Sequence, residues 1–171
     1  MLEELLTLED CANCKICCHF QEDELFDAPT FTKEQKDFIL NIMKVKAEFT
    51  KKKNDIYQIA LNEVDNKGHK CPLLSDRGCI LPFDIKPFDC QSWPFYVMKN
   101  NDEYLITVSQ DCPTFNQIPR EKLKEYIKLK FLKEALNIIK KYPSMITDYN
   151  RELEILYRIN KRDIKTLVNK K

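Results

Sequence analysis

Eight cysteines in 171 residues are the side chains of this sequence best suited to chemistry. Four fall in the run Cys11-Ala-Asn-Cys14-Lys-Ile-Cys17-Cys18, and Cys71, Cys79, Cys90 and Cys112 follow. Thiolates are soft ligands that select iron–sulfur clusters, zinc or copper(I), and a short loop carrying several of them closes around one centre at little entropic cost. Three cysteines at even steps, with Cys71-Pro72 and Cys112-Pro113 downstream, match ferredoxin-type runs. In those runs a distant fourth cysteine, followed by proline, completes the ligand set. Structural zinc more often uses two separated Cys-x-x-Cys pairs, and only one region here has that spacing. Iron–sulfur, of the [4Fe-4S] type, is therefore the first expectation and Zn2+ the alternative. Eight thiols suit two four-ligand centres, or one centre with spare cysteines as buried filler. Adjacent cysteines such as Cys17 and Cys18 usually point apart, so one small ion holding both is awkward.

Other donors are weaker candidates. His19 follows Cys18 and His69 precedes Cys71 by two, so each could supply a nitrogen, yet with eight thiols present the plain expectation is a locally hydrogen-bonded imidazole. Phe88, Trp93 and Phe95 surround Cys90 in the sequence and would shield a centre from water. Lys86, Asp89, Gln91 and Asp111 could steer charge or hydrogen-bond around it. No phosphate loop, glycine-flanked serine or helical pair of zinc-binding histidines is present, which leaves hydrolase and kinase readings without support.

The summed charge is +1, from 28 Lys and Arg against 27 Asp and Glu, so no strong field recruits nucleic acid or an anionic membrane. A partner, protein or small molecule, must be recognised locally. The first ten residues carry acid where a signal peptide needs base, and no apolar run is long enough to cross a bilayer. The expected location is cytoplasmic, a reducing compartment in which cysteines serve metals or catalysis better than disulfides.

With 43% hydrophobic residues the length suits one domain, a cysteine-rich core over 11–113 with a helical extension over 119–171. Thr32 with Gln35 forms a capping-box pattern, and Phe38, Ile42, Val45 and Phe49 recur at helical steps, predicting a helix over about 32–53. Ile56–Leu61 reads as a strand closed by a turn at 65–68, and the prolines at 72, 82, 87 and 94 forbid long elements between Cys71 and Pro94. Phe95–Met98 and Tyr104–Val108 read as a hairpin, and 120–141 as a long helix on a stripe of Leu123, Tyr126, Ile127, Phe131, Leu132, Ile138 and Ile139. The tail alternates at Leu153, Ile155, Tyr157 and Ile159, which predicts a strand and then a short terminal helix. The class is α+β: a small antiparallel sheet and Pro- and Cys-rich loops around a metal centre, flanked by two long helices.

From Cys11 to about Pro113 the pattern resembles a family named for its CxxCxxCC motif and described as a zinc- or iron-chelating domain. Besides the first run, the shared segments read Cys71-Pro72-Leu73-Leu74, Gly78-Cys79, and Lys86-Pro87-Phe88-Asp89-Cys90-Gln91-Ser92-Trp93-Pro94. Ile16 stands where the family tends to carry Gly, and Gln91 where it tends to carry Arg. The resemblance implies that Cys11, Cys14, Cys17, Cys18, Cys71, Cys79, Cys90 and Cys112 coordinate metal. Flagellin lysine N-methylases resemble a larger branch of the same family, which implies S-adenosylmethionine as a further cofactor if the chain is an enzyme.

Overall fold

The capping box at Thr32 forms: its hydroxyl accepts from Gln35 N at 3.4 Å, and Gln35 Oε1 accepts from Thr32 N at 2.9 Å. The helix it starts is short, Lys33–Asp37 continued by a π-helical turn over Phe38–Ile42. This corrects the expectation of a helix to residue 53. Lys44 adopts φ 59° and Val45 N turns back to Ile39 O at 3.1 Å, a left-handed exit that ends the helix without glycine. Ile42 is left 68% exposed, while Phe49 enters a strand, pairs with Ile59 and meets Phe31 edge-on at 5.6 Å. Aromatic and β-branched residues at that point fit a pleated surface better than a helix end.

The computed structural model describes residues 2, 4–7, 9, 14–64, 68–149, 152–160 and 163, and among them the chain divides into two compact units, residues 2–91 and 92–171. The first holds strands β1 (His19–Phe20), β2 (Thr30–Thr32), β3 (Phe49–Lys51), β4 (Ile56–Ile59), β5 (Asn62–Glu63), β6 (His69–Lys70), β7 (Leu74–Ser75) and β8 (Gly78–Cys79). They form three antiparallel sheets, ordered β1-β6-β5, β2-β4-β3 and β7-β8. The expected strand over 56–61 thus splits at Ala60 and Leu61 and serves two sheets; of the turn after it only Gly68 lies within the described residues. Gly68 has φ +89°, and a Cβ there would lie 2.5 Å from Phe20 O, so the position admits glycine alone. Phe20, Phe31, Ile39, Ile59, Cys71, Leu73 and Leu81 make the core of this unit.

In the second unit β9 (Phe95–Asn100) and β10 (Glu103–Val108) form the expected hairpin, with Asn101 at φ 53° in its turn. β12 (Glu154–Ile159) pairs antiparallel with β10, and β11 (Thr147–Asp148) adds parallel to β9. The long helix runs Arg120–Tyr126, Ile127–Phe131 and Leu132–Lys141, its middle turn π-helical. That inserted residue rotates the stripe, so Ala135 and Leu136 are buried where Ile138 and Ile139 were expected. It is the one long helix among the described residues, where two were expected. The predicted terminal helix falls on residues that, Asp163 apart, lie outside the described set. The class is α+β, with helices and small antiparallel sheets, and no helix among the described residues is long and apolar enough to cross a membrane.

Gln35 does more than cap. Its Nε2 also donates to Ile85 O at 3.2 Å and Lys86 O at 3.3 Å, tying the helix start to the Pro-rich loop. Gln35→Ala removes its half of the capping box and both ties, and a loss of about 1–2 kcal/mol in urea-unfolding free energy is expected, against near neutrality for exposed Lys53→Ala.

Candidate metal centre

Three loop segments carry the cysteines of the first unit. A 3-10 turn over Ile16–Cys18 presents the end of the first motif, entered through Lys15 at φ 56°. Its strand continuation pairs with β6, and Cys71 N donates to Cys18 O at 2.9 Å, which sets Cys71 beside the motif. Lys15 Nζ donates to Asp76 O at 2.5 Å, drawing the β7–β8 turn and hence Cys79 alongside. The third segment is a 3-10 turn over Phe83–Ile85 leading into the short helix Phe88–Ser92, which carries Cys90. Its Asp89 carboxylate accepts from Thr30 N at 3.1 Å and Thr30 Oγ1 at 2.7 Å, fastening that helix to β2. Gln91 Nε2 donates to Lys86 O at 2.6 Å and closes the loop on itself.

The sulfurs so gathered feel one another. Cys17 and Cys18 Sγ stand 4.0 Å apart, so this adjacent pair converges instead of diverging. The contact with Cys18, then burial, holds the Cys17 thiol far above its ordinary range, and Lys86 is the chief influence acting the other way. Burial pushes Cys71 up to about 11, with the charges of Cys79 and Cys17 adding to it. Burial also raises Cys90 well above the usual value, and Cys71, Asp89, Cys17 and Cys79 add to that. Cys17, Cys71, Cys79 and Cys90 therefore occupy one electrostatic neighbourhood, with Cys18 touching it. Bringing four thiolates together is unfavourable unless a cation draws them, and metal binding must displace their protons.

All seven described cysteines are free thiols. Among the described residues, no three His, Cys, Asp or Glu side chains stand close enough to hold a single metal ion. Cys14 precedes the turn and is half-buried. Cys11 lies outside the described residues. Cys112 belongs to the second unit, where it is buried directly before the helix Pro113–Asn116.

The remaining candidates scatter. His19 Nδ1 donates to Lys15 O at 3.0 Å, the local hydrogen bond expected of it. His69 Nδ1 is buried with no hydrogen-bond partner, and the Glu22 carboxylate at 3.6 Å stands just beyond reach. Phe95 was expected to shield Cys90. It instead sits in the second unit's aromatic core, 5.0 Å from Phe115 and 5.0 Å from Phe131. Asp111 accepts from Ser109 Oγ at 2.6 Å after β10, in a turn of the second unit. Burial, with Glu24 and Asp89 adding, pushes Asp27 up to about 6. Thr30 and Gln35, which position Cys90 and its loop, carried no sequence signal for that role beyond the capping pattern. Comparison of the chain with family models, with curated proteins and with solved structures returns no match.

Proposed function

We propose that this protein binds an iron–sulfur cluster of the [4Fe-4S] type, with Cys17, Cys71, Cys79 and Cys90 as the thiolates that would hold it. The observation that carries the reading is that free thiols on three separate loops influence one another electrostatically, the loops being fastened by Asp89–Thr30, Lys15–Asp76 and the clamp on Lys86. The donor set fits the group. A single zinc ion needs its four sulfurs about 3.8 Å apart, from Zn–S bonds of about 2.3 Å. Cys17 and Cys18 stand at that spacing, 4.0 Å apart, but among the described residues no three donors gather around one point. A cubane spreads its ligands over four irons, which suits sulfurs that share a neighbourhood without three of them converging on one point.

Such a cluster supplies one-electron redox chemistry when bound. The chain's own residues bury Cys71, leave Cys17, Cys79 and Cys90 partly covered, hold Cys71 beside the first motif through the β1–β6 pairing, and place Cys90 on a helix whose start is pinned to β2. The resemblance to the CxxCxxCC family supports the same reading and extends it to Cys11, Cys14, Cys18 and Cys112, either as replacement ligands or as a second centre. An S-adenosylmethionine-dependent, lysine N-methylase-like activity belongs to that resemblance alone, because it needs an iron with only three protein ligands.

Protein purified without air tests the proposal. Brown material with matching iron and acid-labile sulfide is expected; colourless protein with one zinc per chain overturns it in favour of a structural zinc site, and metal-free protein overturns both.

A further inference from the structure

The summed charge of +1 conceals a division between the two units. Residues 2–91 carry 17 Asp and Glu against 12 Lys and Arg, whereas residues 92–171 carry 10 against 16. Each sign is concentrated in a segment that also exposes a large apolar side chain. In the basic unit this is the outer face of the long helix, which from Ile127 to Lys141 holds five lysines against Glu134 alone. Its π-helical turn leaves Lys128, Leu129 and Lys130 all exposed, with exposed Lys133 one turn further on, and Leu129 is 73% exposed. In the acidic unit it is the 3-10 helix Glu22–Asp27, whose exposed Glu22, Asp23, Glu24 and Asp27 flank Phe26, itself 71% exposed. Phe26 and Leu129 are the two most exposed large apolar side chains among the described residues.

The acidic segment is held in place. Gln21 N donates to Glu24 Oε2 at 2.7 Å within a capping box, and Gln58 Nε2 on β4 donates to Phe26 O at 2.8 Å and Ala28 O at 3.0 Å. A backbone fixed in this way presents Phe26 with little ordering cost when a partner arrives. One exposed apolar residue needs no explanation. Two of them, each flanked by charge of a single sign and the signs opposite, make complementary halves of a contact. A membrane or a nucleic acid would satisfy the lysines and leave Phe26 with its carboxylates unaccounted for.

We infer that a second copy of this chain is the partner of both segments: the Phe26 segment of one copy docks on the Leu129 face of another, Phe26 against Leu129, and Glu22 and Asp23 against Lys128 and Lys133. The contact is heterologous, because its two sides differ. It is small and edged by exposed ion pairs, which places it in the weak, salt-sensitive class. It does not depend on the metal.

Sedimentation equilibrium of the full chain, kept anaerobic with excess reductant so that no disulfide links chains, tests the inference. At about 10 mM salt, where charges act over about 30 Å, the mean mass should rise above 20.4 kDa with protein concentration; at about 1 M, where they act over about 3 Å, association should be at least roughly tenfold weaker. Glu22→Lys/Asp23→Lys and Lys128→Glu/Lys133→Glu, all at exposed positions that spare the Glu24 cap, should each weaken self-association to a similar degree. An equimolar mixture of the two pairs unlike charges at every contact again and should regain it. Adding Leu129→Ser to the second variant should cancel that gain, which separates docking from simple attraction of net charge. Lys52→Glu/Lys53→Glu alters the net charge equally at exposed positions outside both segments and should associate as wild type does. A wild type that stays monomeric at low salt overturns the inference, as does association that survives in both charge variants or a mixture that remains monomeric. A monomeric wild type that sediments with phosphatidylserine vesicles, and ceases to in Lys128→Glu/Lys133→Glu, would assign the helix to an anionic membrane and overturn it as well.

Discussion

Cys90→Ser or Cys71→Ser should strip the anaerobically purified protein of iron and leave the first unit prone to unfolding. Each thiol is drawn into the shared neighbourhood by a different loop, and a site that forms only in the folded chain returns its binding free energy as folding free energy. Loss of an outer partner to a metal ligand already costs about 10–100-fold in affinity, so loss of a ligand should exceed that. Iron per chain and the urea midpoint of the first unit are the readouts. Cys112→Ser, in the second unit, should keep its iron. Iron retained in Cys90→Ser would remove Cys90 from the ligand set, and iron lost in Cys112→Ser would place Cys112 within it.

Phe95→Ala is expected to have the largest effect on the second unit. Phe95 is 1% exposed, meets Phe115 edge-on at 5.0 Å, stacks near Tyr126 at 6.4 Å and leans on Phe131 at 5.0 Å. Its ring joins β9 to the helix Arg120–Tyr126, to the π-helical turn and to Pro113–Asn116. Truncation removes the buried area, leaves a cavity the surrounding rings cannot fill and costs about 3–5 kcal/mol. For a chain of this size that is a fall in melting temperature of roughly 6–20 °C, measurable by circular dichroism. Phe95→Leu, which keeps much of the volume, should recover over half of the loss. A change of under about 1 kcal/mol in Phe95→Ala would mean that these rings repack freely.

Where the pattern was local, it was readable. Thr32 and Gln35 announce a helix start because a cap is made by residues three apart, and the hairpin of β9 and β10 shows because its turn residues and flanking apolar runs are contiguous. Element ends read less well. The helix from Lys33 stops at Ile42 although Val45 and Phe49 continue its spacing, since periodicity cannot distinguish a helix face from a chain that turns at Lys44 and sends Phe49 into a sheet. Past the π-helical turn at Ile127–Phe131 the buried positions are Ala135 and Leu136 while Ile138 and Ile139 are only partly buried, a detail that no apolar count records. β11 escaped notice because two residues paired in parallel with β9 have no signature of their own.

The sequence alone determined the chemistry on offer: eight soft donors, a first motif with cluster-like spacing, prolines that exclude long elements around the later cysteines, and no competing catalytic motif. These are properties of residue type and short spacing, which the linear order carries directly. Only the tertiary structure decided which loops lie near one another, because the placement of the segments carrying Cys17, Cys71, Cys79 and Cys90 depends on a strand pairing, a lysine reaching Asp76 O and an aspartate fastened to Thr30. The same long-range packing clamped the Lys86 carbonyl between Gln35 and Gln91, and took Phe95 from the expected shield of Cys90 into an aromatic core of its own unit. Distances of that kind are set by sums of weak contacts between segments dozens of residues apart, and no spacing along the chain encodes them.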